Sequence, residues 1–396
     1  MVLHLVWLGR IALKAFDFKT VSNIHVEFGG VDRFGERLAD WLPATKALVV
    51  TDRFLHQSGL IDGLKASLRR SGYPVAVFDS VEADPAEEIV RACRDLAVAE
   101  QAGVIIGVGG GSSMDVAKVV AALAKSSQEI AAAYGIGNLQ GDRLPLIQIP
   151  TTAGTGSEVT GISILTTGEN TKMGIVADQL YADRVLLDAR LTLGLPKLHT
   201  AATGIDAMVH AIEAYTSVHL KNPISDMLAR EALRLLSSNL LAVCADGNNI
   251  AAREAMLLGA MFAGQSFANA PVAAVHALAY PLGGQFHIPH GLSNALMLGP
   301  VLEFNVSGAA QLYAELGDVL GVSQSGHADV DARAFISRLL VLVNGSGAPR
   351  RLRDVGVPAD SLPALARDAI KQTRLLQNNP VRLDEGDILT IYERAY

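Results

Sequence analysis

An aspartate and a histidine four residues apart, Asp206 and His210, lie in an alanine-rich segment with helical periodicity. On a helix this spacing places both side chains on one face, one turn apart. A carboxylate or an imidazole buried in apolar surroundings needs a partner, either a hydrogen-bonding group or a metal ion. Taken alone, the pair is explained as well by a hydrogen bond inside the core as by a metal site.

Three further histidines, His276, His287 and His290, fall in one short segment of a chain with ten histidines in total. We expect the prolines and glycines between and beside them to break the helix there, so that His276 and His290 converge on one point. These helix-breaking residues are Pro281, Gly283, Gly284, Pro289 and Gly291. One carboxylate and three imidazoles suit Fe²⁺ or Zn²⁺ with an open position for Lewis-acid catalysis. His287 is explained equally well as a pocket residue and as a half-exposed loop histidine.

Two glycine-rich segments each follow a predicted strand. The first, Gly107–Asp115, leads into a helix whose N-terminus offers free N–H groups and the positive end of the helix dipole to a phosphate. Its spacing matches neither the G-x-G-x-x-G nor the P-loop pattern. The second, Pro150–Glu158, places three threonine hydroxyls beside two glycines. Each segment alone is equally consistent with a capping turn, but together they favour nucleotide binding.

Asp52 ends an early predicted strand. A carboxylate there can bond ribose hydroxyls and repel a 2′-phosphate, which favours NAD over NADP. A helix N-cap explains Asp52 equally well, and the neighbouring Arg53 leaves NADP possible.

The first half of the chain alternates short β-branched runs with amphipathic segments, a pattern typical of a parallel sheet with helices on both faces. Beyond Leu193 long Ala/Leu-rich helical patterns replace it, and Pro196 suits the first turn of a helix. We therefore predict an α/β plus all-α protein. Its predicted parts are an N-terminal extension (1–20), of which the stretch Met1–Phe16 is expected to be poorly ordered, a Rossmann-like dinucleotide-binding domain (21–194) and a helical metal-binding catalytic domain (195–396). The predicted strands are Ile24–Phe28, Ala47–Thr51, Val75–Phe78, Val104–Val108, Leu146–Ile149 and Val185–Asp188.

Composition narrows the class of partner. The formal net charge is −7, without a basic run, which argues against nucleic-acid binding. The two cysteines, Cys93 and Cys244, cannot form a disulfide framework or a thiolate metal site. No apolar run is long enough to span a bilayer, and the first residues lack the features of a signal peptide. We expect a cytoplasmic protein with no membrane partner.

Four ordered motifs together resemble the iron-containing (group III) alcohol dehydrogenase family, over nearly the whole chain from about Phe28. The matching segments are Gly109–Lys118, Pro150–Thr160, Gly204–Tyr215 and Val275–Asn294. The resemblance implies hydride transfer between NAD(H) and a small alcohol, aldehyde or ketone. It also implies a homodimer, with the early strand Ile24–Phe28 as the candidate interface. The implied metal ligands are Asp206, His210, His276 and His290. The implied cofactor contacts are Asp52, Asp84, Gly110, Gly111, Ser112, Asp115, Thr151, Thr152, Thr155 and Lys172.

The chain departs from the family pattern at Tyr280, where many members carry a histidine near the substrate. Tyr280 and His287 are therefore the candidates for the proton route. Two other functions fit parts of the pattern: a glycerol-type dehydrogenase or sugar-phosphate cyclase on the same fold, and a non-catalytic nucleotide-binding protein. The complete set of Asp206, His210, His276 and His290 argues against both.

Overall fold

A computed structural model describes residues 15–168 and 171–396. The strands are β1 Ile24–Val26, β2 Ala47–Asp52, β3 Val75–Val81, β4 Val104–Gly109, β5 Gly135–Ile136, β6 Leu146–Pro150, β7 Ile162–Thr167, β8 Thr171–Val176 and β9 Arg184–Leu187. The helices are α1 Phe34–Ala39, α2 Arg53–Gln57, α3 Asp62–Arg70, α4 Glu87–Ala99, α5 Gly111–Leu123, α6 Lys197–Thr216, α7 Pro223–Ala245, α8 Ile250–Asn269, α9 Ala274–Phe286, α10 His290–Val319, α11 Ala328–Ser346, α12 Leu362–Ala369, α13 Thr373–Leu376 and α14 Glu385–Ala395.

The first half of the chain forms a six-stranded sheet in the order β1-β9-β6-β4-β2-β3. All of its strand pairs are parallel. The central strands β4 and β6 are buried along their whole length because helices and loops cover both faces of the sheet. Nine helices follow from Lys197 onward in the described part of the chain. The predicted α/β plus all-α class is confirmed, and so are all six predicted strands, with small changes at their ends.

Three features differ from the sequence-based expectations. A second sheet, in the order β5-β8-β7, was not predicted, because its strands carry glycine, lysine and threonine and alternate only partly in burial. Helix α9 was expected to break at Pro281, Gly283 and Gly284, but it continues through all three. Tertiary packing of its buried apolar residues outweighs the hydrogen bond lost at proline. The break comes at His287, whose φ of 54° is left-handed, and α10 starts after Pro289.

The predicted extension is only partly covered, since residues 1–14 lie outside the described ranges. Beyond Phe16, where the stretch expected to be poorly ordered ends, the extension is bound to α8. The side chain of Asn269 on α8 exchanges two hydrogen bonds with the backbone of Lys19, at 2.6 and 2.8 Å. Gln265, one turn earlier on α8, donates to Thr20 Oγ1 at 2.8 Å.

The predicted domain boundaries, at residues 20/21 and 194/195, stay a prediction. Among the described helices, none combines the length and apolar character needed to cross a membrane.

The two halves of the chain meet backbone to backbone at a pair of glycines. Gly156, in the loop after β6, has a left-handed φ of 60°, and a Cβ added to it would lie 2.5 Å from Gly264 Cα on α8. A Cβ on Gly264 would in turn lie 2.8 Å from Gly156 Cα and from its carbonyl oxygen. Only glycine permits this approach, so the contact fixes the position of the loop after β6 against the helical half.

We expect Gly264→Ala to destabilise the protein by about 1–3 kcal/mol, because the added methyl group meets backbone atoms that cannot rotate away. Denaturant unfolding measures the loss. Gly194→Ala is the matched control, because a Cβ there meets nothing within 4 Å. Equal unfolding midpoints for the two variants would contradict the close-packed contact.

Candidate metal and nucleotide site

Three helices bring four metal-ligating side chains together. Asp206 and His210 lie one turn apart on α6, His276 lies in the first turn of α9, and His290 is the first residue of α10. One ligand atom from each of the four residues lies within 4.8 Å of the others. The predicted convergence is therefore present in the structure, although α9 does not break where we expected.

A glycine allows the start of α10 to reach α6. A Cβ on Gly291 would lie 2.4 Å from the carbonyl oxygen of Ala202 on α6. Because Gly291 has no side chain, the first turn of α10 packs directly against the backbone of α6. Its neighbour His290 is thereby carried to the two α6 residues, Asp206 and His210.

The distances within this cluster fit a shared cation better than direct hydrogen bonds. Asp206 Oδ1 lies 3.9 Å from His210 Nε2, 3.7 Å from His276 Nε2 and 3.5 Å from His290 Nε2. These separations exceed hydrogen-bond length. A tetrahedral ion with ligands at about 2.1 Å keeps its ligand atoms roughly 3.4 Å apart. The residues present therefore fit a divalent cation with one carboxylate and three imidazole ligands.

The charge states suit ligation as well. Burial opposes ionisation of Asp206, but the three histidines and the Asn294 amide together outweigh it and hold the pKa of the carboxyl below its ordinary value. Burial lowers the pKa of His210 to about 3. It also lowers the pKa of His290, although 33% of that side chain stays exposed. An ionised Asp206 beside neutral His210 and His290 is a state that binds a metal ion without first losing protons from these groups.

Sequence reasoning missed two polar residues that touch the cluster. Asn294 Nδ2 donates to Asp206 Oδ1 at 2.5 Å and lies 3.2 Å from His290 Nε2. Glu213 Oε2 lies 2.7 Å from His276 Nδ1. Helical spacing is the signal that could have found them, since Asn294 follows His290 by four residues on α10 and Glu213 follows His210 by three on α6.

Of the two candidates for the proton route, only Tyr280 lies against the cluster. Its ring centroid is 6.0 Å from that of His290, and burial raises the pKa of its phenol, which therefore keeps its proton at neutral pH. His287 is exposed at the left-handed residue that ends α9. In the described ranges, no hydrogen bond, ion pair or ring contact links His287 to the cluster.

The two glycine-rich segments lie side by side because β4 and β6 are neighbours, with Gly109 paired to Pro150. Gly110 is the N-cap of α5, Gly111 and Ser112 are its first two residues, and no side chain caps the helix. A Cβ on Gly111 would lie 3.0 Å from the Thr155 side chain, so side chains here would narrow the space between the segments. Thr152 Oγ1 is buried and has no hydrogen-bond partner among the described residues. Free helix N–H groups and an unpartnered hydroxyl fit a pyrophosphate.

Other predicted cofactor residues support these loops in the protein itself. Both carboxylate oxygens of Asp115 are engaged, one by the Ser157 hydroxyl at 2.6 Å and the other by the Ile164 N–H at 2.8 Å. Thr151 donates its N–H to the Gly109 carbonyl at 2.9 Å, and Thr155 Oγ1 accepts from Ser157 N at 3.3 Å. These contacts link the two segments and the start of β7.

A buried lysine joins the same network. Lys118 Nζ donates to Ser157 Oγ and to the Ile162 carbonyl, both at 2.7 Å. Burial raises the pKa of the neighbouring Glu158 carboxyl to about 7, and the charge of Lys118 partly opposes that shift. Sequence reasoning gave neither residue a role.

The remaining predicted cofactor residues lie at strand ends or on the second sheet. Asp52 ends β2, and its Oδ1 accepts from Leu55 N at 2.9 Å as the N-cap of α2. Asp84 has a left-handed φ of 52° and pairs with Lys172 on β8 at 2.6 Å. A Cβ on Gly283 of α9 would lie 3.6 Å from Lys172 Nζ, so this lysine reaches the side of α9 that carries the metal cluster.

Comparison with known proteins identifies the family to which this chain belongs. Residues 22–189 match the family model described as iron-containing alcohol dehydrogenase, and residues 200–396 match the model for the C-terminal part of that family. The chain belongs to the iron-containing alcohol dehydrogenase family.

Individual relatives cover nearly the whole chain. Long-chain-alcohol dehydrogenase 1 of Geobacillus thermodenitrificans is 42% identical over 94% of this chain and 94% of its own length. A crystal structure of 1,3-propanediol oxidoreductase gives a TM-score of 0.93 at 34% identity, covering 97% of this chain and all (100%) of that one. The sulfoacetaldehyde reductase of Bifidobacterium kashiwanohense, solved in complex with NAD⁺, gives a TM-score of 0.88 at 28% identity, covering 96% and 99%.

The protein thus carries out nicotinamide-linked oxidoreduction between an alcohol and an aldehyde. The family assignment favours that reaction over the sugar-phosphate cyclase and non-catalytic alternatives. The names of the relatives differ in substrate, so the family fixes the type of reaction and not the molecule on which it acts.

We expect His276→Ala to abolish both bound metal and turnover, because the cluster loses its deepest imidazole and cannot complete the ligand set. Elemental analysis after anaerobic loading with Fe²⁺ and removal of free metal measures the first effect. His199→Ala is the control, since His199 lies on α6 but is exposed. Stoichiometric metal in His276→Ala would show that the ion binds elsewhere.

Proposed function

We propose that this protein is an NAD-dependent, Fe²⁺-dependent dehydrogenase of small alcohols, with Asp206, His210, His276 and His290 as metal ligands. The observation that carries the proposal is the buried cluster of one carboxylate and three imidazoles beside a nucleotide-binding strand edge. The family name supports iron. Zn²⁺ fits the same ligand set and is the alternative metal.

When bound, the cation supplies Lewis acidity at the substrate oxygen and the nicotinamide accepts or supplies the hydride. The residues of the chain bind and orient the substrate and exclude water from it. The stacked rings of His210 and Phe267, 4.4 Å apart, close the inner side of the cluster. The partly exposed His290 marks the open side. A substrate that enters there meets Tyr280, whose protonated phenol is a hydrogen-bond donor. Burial of Asp206, His210 and His276 strengthens the charge interactions between these side chains and a bound cation.

The nucleotide is proposed to lie across the carboxyl ends of β2, β4 and β6. The N-terminus of α5, with Gly110, Gly111 and Ser112, receives the pyrophosphate, and Thr151, Thr152 and Thr155 border it from the next loop. Lys172, paired with Asp84, approaches the cluster from β8 and lies where it can contact the nicotinamide half. The engaged carboxylate of Asp115 supports a role in holding the two loops rather than in direct contact with the cofactor.

The direct test is reduction of NAD⁺ by a panel of short and long alcohols, with metal-stripped protein before and after Fe²⁺ is added under anaerobic conditions. We expect Fe²⁺ to restore NADH formation with at least one alcohol, and Zn²⁺ tested in parallel identifies the preferred metal. The His276→Ala variant is the negative control. If the metal-loaded protein reduces no NAD⁺ with any alcohol, and oxidises no NADH with the matching aldehydes, the proposed function is wrong.

Asp52 supports the preference for NAD. Oδ1 caps α2, and no hydrogen bond to Oδ2 is found among the described residues, so Oδ2 is available to a ribose hydroxyl. We expect Asp52→Asn to lower the preference for NAD⁺ over NADP⁺ by roughly tenfold, or about 1.4 kcal/mol, because the side chain keeps its cap but loses the charge that repels a 2′-phosphate. The ratio of kcat/KM values for the two cofactors measures this, and the unfolding temperature controls for stability. An unchanged ratio would leave Asp52 as a helix cap alone.

The homodimer joined through β1 also stays a prediction. In its support, β1 pairs only with β9 in the described sheet, so its other edge is open. Val26 and Phe28 are 54% and 40% exposed there. An open apolar edge strand is a typical pairing surface.

A further inference from the structure

A glutamate behind the metal cluster has no role in the proposed chemistry, yet it is among the most tightly bound side chains near the cluster. Glu213 lies on α6, seven residues after Asp206 and three after His210, so the three side chains share one face of the helix. Only 3% of Glu213 is exposed. A carboxylate buried to this degree must be matched by donors.

Three donors from the start of α9 converge on Glu213. Oε2 accepts from the backbone N–H of Ala273 at 2.9 Å and from His276 Nδ1 at 2.7 Å. Oε1 accepts from the backbone N–H of Val275 at 2.6 Å. The N-terminal N–H groups of a helix lack partners inside the helix, and α9 has no side-chain cap of its own. Glu213 therefore caps α9 from a different helix, and its charge suits the positive end of the α9 dipole.

The same carboxylate decides which ring nitrogen of His276 carries the proton. An ionised carboxylate can only accept, so His276 Nδ1 must donate to it. Nε2 then carries the lone pair and faces the cluster, where it lies 3.7 Å from Asp206 Oδ1 and 3.3 Å from Asn294 Nδ2. Among the described contacts, His276 is the one cluster histidine whose Nδ1 donates to a carboxylate; His210 and His290 approach Asp206 through Nε2.

We infer that Glu213 is a positioning residue for the metal site. It holds His276 in the tautomer and direction in which Nε2 can bind the cation, and it ties α9 to the helix that carries Asp206 and His210. This inference rests on the proposed metal site. Mutation of a residue that hydrogen-bonds to a metal ligand typically lowers metal affinity by roughly 10- to 100-fold.

Glutamine cannot replace Glu213, although it has the same shape. It offers one acceptor oxygen and one NH₂ group to three donors. If the oxygen faces His276, the NH₂ group faces the Val275 N–H. Both groups are donors, so no hydrogen bond forms between them. If the NH₂ group faces His276, Nδ1 must accept, the proton moves to Nε2, and Nε2 can no longer bind a metal.

The experiment measures Co²⁺ affinity by chelator competition in full-length wild type, Glu213→Gln and Asp331→Asn. Asp331 is the matched control because it is also a buried carboxylate that accepts backbone N–H groups, from Gln324 and Ser325, but its carboxylate has no hydrogen bond to a histidine ring among the described contacts. We expect the dissociation constant to rise roughly 10- to 100-fold in Glu213→Gln and to stay at the wild-type value in Asp331→Asn. The visible absorption of the bound Co²⁺, which reports its coordination, should change only in Glu213→Gln.

The possible outcomes distinguish a failure of the proposed metal site from a failure of the inference about Glu213. If the wild type binds no Co²⁺, the proposed metal site itself is wrong. If the wild type binds Co²⁺ and Glu213→Gln binds it with unchanged affinity and spectrum, the inference is overturned. An equal loss of affinity in Asp331→Asn would also overturn it, since the effect would then be one of general stability. If Glu213→Gln does not fold, Glu213→Asp serves in its place, because it keeps both acceptor oxygens at a shorter reach; wild-type affinity in that variant would count against the inference.

Discussion

The structure around the site depends on one buried charge. Asp206 is 2% exposed, and a carboxylate in that position is stable only if cations, dipoles or donors replace the lost water. Asn294 supplies one hydrogen bond, and three imidazoles face the same oxygen at distances too long for hydrogen bonds. The arrangement of α6, α9 and α10 follows from this requirement. Each helix brings one or two of the groups that surround the carboxylate.

Small residues set how closely these helices and loops can approach. Gly291 lets α10 touch the α6 backbone, and Gly264 lets α8 touch the loop that follows β6. The first contact carries His290 into the cluster. The second fixes one of the two glycine-rich loops against the helical half of the chain. The proposed metal ligands and the proposed nucleotide loops are thus held in a fixed relation by contacts in which no side chain intervenes.

The sequence predicted much of this arrangement, for physical reasons that can be named. Helical spacing paired Asp206 with His210. The concentration of three of the ten histidines in one short segment pointed to His276 and His290. Strand ends followed by glycine or threonine indicated the nucleotide loops. These signals are local, because they depend on the period of a helix or on the end of a strand. The six strands of the main sheet were found for the same reason.

What the sequence did not predict depends on contacts between distant segments. The continuation of α9 through Pro281 depends on packing, which no local pattern reveals. Helical spacing places Glu213 beside His210, but the hydrogen bond from Ala273 to Glu213 joins residues 60 positions apart, and no local pattern predicts it. Asp52 and Asp115 had the right residue type for cofactor contact, yet their side chains also cap a helix and link two loops. A residue type limits what a side chain can do, and its neighbours decide which of those roles it takes.

The central claim is that Asp206, His210, His276 and His290 bind one cation. Anomalous diffraction from crystals of the Fe²⁺-loaded protein, collected on both sides of the iron absorption edge, tests it most directly. The account predicts one strong peak among the three helices, at about 2.0–2.2 Å from a carboxylate oxygen of Asp206 and from Nε2 of each histidine. A peak at any other ligand set, or no peak in crystals of protein that is active with added iron, would contradict it.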